Sequence, residues 1–232
     1  MSNLNSFHDF IDENPPLVLA VDTSSASAGF ALARGTKLIA SLKTEASVPH
    51  SQAFFLQTAE LLKIAGVNLN EVQIFAAATG PGSFTGLRVG LAAIKGLAHS
   101  LGKPAVGINS IDALALSSKV IGDVLVLIEA GRKEFYSGIR RVTEDGNVQP
   151  IGIDRVGTLT ALSSELTAQS GIVVGSVPEE FLAEHSGWQF KPSLTTIAEE
   201  IALSSLGFLR SGDCSLRPHY VRPSDAEIKR KD

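Results

Sequence analysis

The sequence predicts an α/β protein built from two related halves, and three observations carry that expectation. A run of short β-rich segments followed by a helix occurs twice along the 232 residues. The two runs are separated by a break near residues 110–122, and the connections within each are as short as a compact α/β unit requires. Taken as domains, the pattern gives an extension over 1–16, a first lobe over 17–115, a reduced second lobe over 116–216 and a basic tail over 217–232.

The first half opens on Leu17-Val18-Leu19-Ala20-Val21, a β-rich run ending in the polar turn Asp22-Thr23-Ser24-Ser25. Segments at 29–33 and 38–42 follow closely and predict a three-strand meander. A helix is expected from about Ser51 to Ala65, closed by Gly66 as its C-cap. At roughly 100° per residue, Phe54, Phe55, Leu61, Leu62, Ala59 and Ala65 cover an arc of roughly 160°, wider than one core-facing stripe requires. A strand over 71–78 then leads into the stretch that organises the chain.

That stretch is Gly80-Pro81-Gly82-Ser83-Phe84-Thr85-Gly86-Leu87-Arg88-Val89-Gly90. Glycine tolerates φ > 0 and close approach, so Gly80 and Gly82 predict a tight turn. Ser83 and Thr85 stand where a helix N-cap belongs. Two readings follow, a structural turn or an anion site at the positive end of a helix. No Gly-Lys-Ser/Thr follows, so the loop is not a P-loop, and the spacing misses the dinucleotide fingerprint. The helix beyond, Gly86–Leu101, gathers Leu87, Leu91, Ile94, Leu97, Ala98 and Leu101 in one arc. It carries a second side of small residues (Val89, Ala92, Ala93, Gly96) and a narrow polar stripe of Arg88, Lys95 and His99. The wide apolar arcs of the two helices fit a docking interface or a wholly internal core. Left wet, about six large apolar side chains would forgo on the order of 10 kcal/mol. A strand at 105–108 and a short helix at 110–118 capped by Ser110 close this half.

From Asp123 the pattern restarts. A strand at 124–128 ends at Glu129-Ala130-Gly131, strands follow at 135–139 and 148–153, and a helix is expected within 158–168. A strand at 172–175 and a helix at 195–209 lead to a C-terminus carrying Arg217, Arg222, Lys229, Arg230 and Lys231 against Asp225, Glu227 and Asp232. A solvated tail and a modest nucleic-acid contact within a complex are its two readings.

Composition narrows the function. Hydrophobic residues make 44% and charged residues 19%, so the chain reads as globular, and its net charge of −4 argues against holding nucleic acid mainly by its own charge. The single cysteine, Cys214, excludes an internal disulfide and reads as an idle thiol. No apolar run approaches the roughly 18 residues of a membrane span, and acids (Asp9, Asp12, Glu13) stand where a secretory signal would be basic. A cytoplasmic, non-membrane protein is the expectation. The five histidines contain no pair four apart on a helix; the position four after His50 is Phe54, so a metal site of that kind is not expected.

Asp22-Thr23-Ser24-Ser25, His50-Ser51, the Gly80–Gly90 run and Glu134-Phe135-Tyr136, in that order, resemble the TsaB (formerly YeaZ) family over roughly residues 17–140. The resemblance implies a two-lobed actin-like ATPase fold, each lobe a mixed sheet flanked by helices. It also implies a non-catalytic scaffold in forming threonylcarbamoyladenosine at the adenosine beside the anticodon of ANN-decoding tRNAs. Its implied partners are the catalytic TsaD paralogue and the ATPase TsaE, with tRNA met through that complex and a homodimer when the chain is alone. The nucleotide turn would be Asp22, Thr23, Ser24, Gly80, Gly82, Ser83 and Thr85, although Asp22 reads equally as a turn residue satisfying its own backbone. No cofactor is expected on the chain alone, with ATP or ADP admitted at an interface shared with the partner. The interface set is Phe54, Phe55, Leu62, Arg88, Leu91, Ile94 and Lys95. The family's Asp-Ala-Arg is replaced here by Glu129, Ala130 and Gly131, with Arg132 one place later. The rival function is an enzyme in its own right, an ATP phosphotransferase or a glycoprotease-like hydrolase.

Overall fold

The computed structural model describes residues 15–45, 49–166, 168–212 and 215–222, excluding the side chains of His50 and Ala53. The first sheet contains β1 (Leu17–Asp22), β2 (Gly29–Arg34), β3 (Lys37–Lys43), β4 (Ile74–Gly80) and β5 (Ala105–Asn109) in the order β3-β2-β1-β4-β5. The second contains β6 (Gly122–Gly131), β7 (Glu134–Val142), β8 (Val148–Thr158), β9 (Gly171–Gly175) and β10 (Trp188–Phe190) in the order β10-β9-β6-β7-β8. In each sheet the first three strands pair antiparallel as a meander, and the fourth joins the first in parallel. The fifth joins the fourth in parallel as well. Order and sense therefore match strand for strand, and the chain repeats one unit twice.

The reason β1 and β4 are apolar throughout is that both faces of the first sheet are covered: every residue of each strand is buried. On one face lie α1 (His50–Ala65) and α2 (Phe84–Leu101), whose Phe54, Leu61, Leu62, Leu91 and Ile94 meet Leu19, Val21, Phe30 and Phe75. On the other face lies α6 (Ile197–Ser211), with Ala198, Ile201 and Ala202 against Val18, Ala20 and Ala76. The second sheet packs α3 (Ser110–Ser117) on one face and α4 (Leu159–Ser164) with α5 (Glu179–Glu184) on the other.

Several sequence expectations change. The closing helix α6, assigned to the second lobe over 116–216, packs on the first sheet instead, because its small residues fit the alanine-lined face left open there. The cap of α3 is Asn109, whose Oδ1 accepts from the Ile111 amide at 2.7 Å, and not Ser110. Ser110 is wholly buried, with no hydrogen-bond partner for its hydroxyl among the described residues. The strand expected over 71–78 starts only at Ile74, behind a 3-10 turn over Leu69–Glu71 that Asn68 and Glu71 close as a capping box. The weak strand at 148–153 runs on to Thr158, paired with β7 through a register shift between Ser137 and Ile139. The sequence reading missed α5 and β10, at six and three residues too short for a periodicity to show.

Candidate functional site

Between the two sheets lies an open cleft of about 810 Å3. Its walls are the turn after β1 (Ser24–Ala26), the glycine loop (Pro81–Thr85) with Arg88, the β6–β7 turn (Glu129–Arg132), and the segment His219–Arg222. Stretches about 200 residues apart in the chain thus come together: three of them follow the ends of β1, β4 and β6, and the C-terminal segment lies beside them.

The glycine loop is shaped by the chain itself. The Ser83 amide donates to the Ser24 carbonyl at 2.7 Å, and a Cβ on Gly82 would lie 2.3 Å from that same oxygen. A Cβ on Gly90, two turns into α2, would lie 2.3 Å from Thr23 Oγ1, which donates to the Gly86 carbonyl at 2.8 Å. The glycines at 82 and 90 therefore mark where the Asp22–Ser25 turn presses against the loop and helix. Gly80 has φ +104°, a conformation open to glycine. Ser83 caps α2, its hydroxyl accepting from the Gly86 amide at 3.2 Å, whereas Thr85 lies inside the helix. Asp22 Oδ1 accepts from the Ser24 amide at 2.9 Å, the geometry of a turn satisfying its own backbone. The closest approach of the loop, at Gly82, and its Ser83 amide are both taken by Ser24.

The C-terminal segment is a wall of the cleft and not a solvated tail over its described residues. The His219 amide donates to the Thr79 carbonyl at 2.7 Å on the first sheet, and its Nε2 lies 2.9 Å from Asp154 Oδ2 on the second. The Tyr220 ring lies on Phe84 at 4.9 Å, its hydroxyl accepts from Arg88 Nε at 3.0 Å, and the Arg88 guanidinium covers Phe84 at 3.8 Å. Arg222 pairs with Glu134. Residues 223–232, 1–14 and Cys214 lie outside the described residues.

A buried ionic cluster stands behind this wall. Arg140, 2% exposed at its side chain, donates to Asp112 at 2.5 Å and to both oxygens of Asp154 at 2.7 and 2.9 Å. Burial by itself would raise the Asp154 carboxyl; hydrogen bonds from His219 and Arg140 outweigh it and hold the group far below the usual carboxylate range. Burial likewise opposes the charge on Arg140, and its two aspartates more than restore it. No sequence pattern marks this cluster, since its members lie on α3, β7, β8 and the C-terminal segment. Gly138 makes room for it: a Cβ there would lie 2.4 Å from Asp154 Oδ1.

The seven residues assigned to an interface divide. Phe54, Leu62, Leu91 and Ile94 are buried in the chain's own core, at 1%, 8%, 4% and 0% exposed. Phe55, Arg88 and Lys95 are exposed. Phe55, 63% exposed, stands edge-on to Phe54 at 5.2 Å, with Leu56 and Ile64 exposed on the same helix at 71% and 56%. On α2, a Cβ at Gly96 would meet nothing within 4 Å. Among the described residues no three His, Cys, Asp or Glu side chains converge as a metal site requires, and no helix is long and apolar enough to cross a membrane.

Comparison with known proteins places this architecture. The family model described as "TsaD: tRNA N6-adenosine threonylcarbamoyltransferase" matches residues 41–202. A Bacillus subtilis protein named "tRNA threonylcarbamoyladenosine biosynthesis protein TsaB" is 32% identical over 123 residues, 53% of this chain and 54% of that protein. The Haemophilus influenzae protein of the same name is 33% identical over 123 residues, 51% of each. The matched stretch thus spans about half the length of these curated relatives. Among solved structures, YeaZ from Pseudomonas aeruginosa superposes with a TM-score of 0.71 at 24% identity, covering 88% of this chain and 99% of that one. The ethanolamine utilization protein EutJ from Carboxydothermus hydrogenoformans, at a TM-score of 0.52 and 14% identity over 82% of this chain and 90% of that one, shares the actin-like architecture. With its duplicated sheets, interlobe cleft and a family match over most of its length, the chain belongs to the TsaD family of tRNA N6-adenosine threonylcarbamoyltransferases and, within it, is similar to the TsaB (YeaZ) proteins.

Proposed function

We propose that this chain is a non-catalytic scaffold subunit in the formation of threonylcarbamoyladenosine in tRNA, working with a TsaD paralogue and a TsaE-type ATPase. The observation that carries the reading is the outer side of α1 and α2. Phe55, Leu56 and Ile64 stand exposed on the outward half of α1, and on α2 a Cβ at Gly96 would meet nothing within 4 Å. Three large apolar side chains exposed on one helix are costly to leave wet and fit a protein partner. The relatives named for tRNA threonylcarbamoyladenosine biosynthesis supply the process. The same face closes a homodimer when the partner is absent. ATP or ADP belongs at a boundary shared with that partner, since the glycine loop packs on Ser24.

The test is a pair of charged substitutions, Phe55→Glu and Leu56→Glu, made separately in the full chain. Each should melt as the parent does, because the new carboxylate stays in water. Each should lose capture of the TsaD paralogue by at least ten-fold, as a carboxylate forced into an apolar contact costs several kcal/mol. Full capture and full tRNA modification by both variants would overturn the reading. Steady ATP turnover by the chain alone, abolished by Asp22→Ala, would favour an enzyme instead.

A further inference from the structure

The β6–β7 connection carries an observation that the scaffold reading leaves unused. Gly131 pairs with Glu134, so Arg132 and Lys133 form a two-residue hairpin loop, with φ of 55° and 61°. Positive φ at both central positions is the signature of a type I′ turn, which asparagine and glycine adopt readily and long side chains do not. Two adjacent cations in this conformation are backbone strain retained at the rim of a cleft, and such strain points to function. Both side chains are exposed, and Arg132 lines the cleft.

Across the same cleft stands a partly exposed stack. Arg88 covers Phe84 at 3.8 Å, and Tyr220, 40% exposed, lies on the same ring at 4.9 Å. Arg88, Arg132 and Arg222 line the cleft together with Glu129; Arg88 donates to Tyr220, and Arg222 pairs with Glu134. The hydroxyls of Ser24, Ser25, Ser83 and Thr85 line the floor between turn and stack. Aromatic and guanidinium planes that stack bases, next to cations that meet phosphates, are the elements by which single-stranded RNA is held.

We propose that this cleft, with Arg132 and the Arg88–Phe84–Tyr220 stack in its lining and the exposed Lys133 next to Arg132 at its rim, is a direct contact surface for an unpaired stretch of RNA. It rests on the tRNA reading above and adds to it that the chain touches the nucleic acid itself. The net charge of −4 makes this a local contact with few phosphates. Arg132 lines the cleft on the turn that follows Gly131, whose φ is +73°.

The test uses the full chain, a labelled unmodified tRNA transcript, a duplex RNA of equal length, and ATP. The double variant R132N/K133G removes both charges and installs the residues the turn prefers. It should melt at or above the parent's temperature, bind tRNA about ten-fold more weakly, and lose about two from the slope of log affinity against log salt. Tyr220→Leu should weaken tRNA binding about ten-fold, whereas Tyr220→Phe, which keeps the ring, should retain it. Unchanged tRNA affinity and salt slope in R132N/K133G would overturn the proposal, as would parent binding that is absent at low salt or no tighter for tRNA than for the duplex. Loss of ATP binding with tRNA binding intact would overturn it in favour of a nucleotide cleft. Capture of the TsaD paralogue, measured on the same variants, should be unchanged. Its absence in the parent would fault the scaffold reading, leaving the RNA measurement to stand by itself.

Discussion

Asp154 is where the two sheets and the C-terminal segment meet, with Arg140, His219 and Asn109 all bonded to its oxygens. A carboxyl held below its unfolded value stabilises the fold at neutral pH, and that contribution drains away as pH falls below about 4. Asp154→Asn should therefore lower the urea midpoint at pH 7 and flatten the fall in stability below pH 4. An unchanged acid limb would show that other carboxyls govern it. Arg140→Ala, which removes the buried cation shared by Asp112 and Asp154, should cost about 3–5 kcal/mol in the same measurement. The contact of Gly90 with Thr23 is equally specific. Gly90→Ala should cost about 1–3 kcal/mol through overpacking. Adding Thr23→Ala, which removes the nearest atom, should recover part of that loss in a double-mutant cycle. Neither residue pair was legible in the sequence, since a glycine in a run of glycines does not say what approaches it.

At the scale of elements, α1 and α2 were read correctly as helices with wide apolar arcs, and the structure divides those arcs by face. Leu91 belongs to the core of the first sheet, so Leu91→Glu should destroy cooperative melting, a buried carboxylate without a partner being prohibitive. A normal melt for Leu91→Glu would mean that the helix can swing its face outward. The same reading placed Phe54 and Phe55 together, although neighbours on a helix are about 100° apart. One therefore fills the core, and the other faces out. Periodicity gives the width of an apolar arc; which part of it meets the sheet depends on where the sheet lies.

For the whole molecule, the described part of the C-terminal segment acts as a tie across the cleft, bonded to Thr79 on one sheet and to Asp154 and Glu134 on the other. Ending the chain after Gly212 should speed amide exchange around the cleft, at Ser83 and along β7, while the buried strands β1 and β4 keep their protection. Uniform loss of protection would mean that the tie holds the fold as a whole. The duplication was legible as a run of strands followed by a helix that recurs along the chain, whereas the order of strands within each sheet came only from the structure. The crossing of α6 to the first sheet was not legible either, because a small-residue helix fits any alanine-lined face and the pattern does not say which one is open.

By itself the sequence determined what is local: the strands, the long helices with the Gly66 C-cap of α1 and the Ser83 cap of α2, and the glycine loop as a turn. These follow from side-chain period, cap chemistry and backbone freedom within a few residues. Only the tertiary structure decided what is distant. It set Ser24 against Gly82, Tyr220 on Phe84, and Arg140 between Asp112 and Asp154. Such contacts join residues from about 14 to more than 130 positions apart. Their energy comes from excluding water and pairing buried charge, which composition along the chain does not encode.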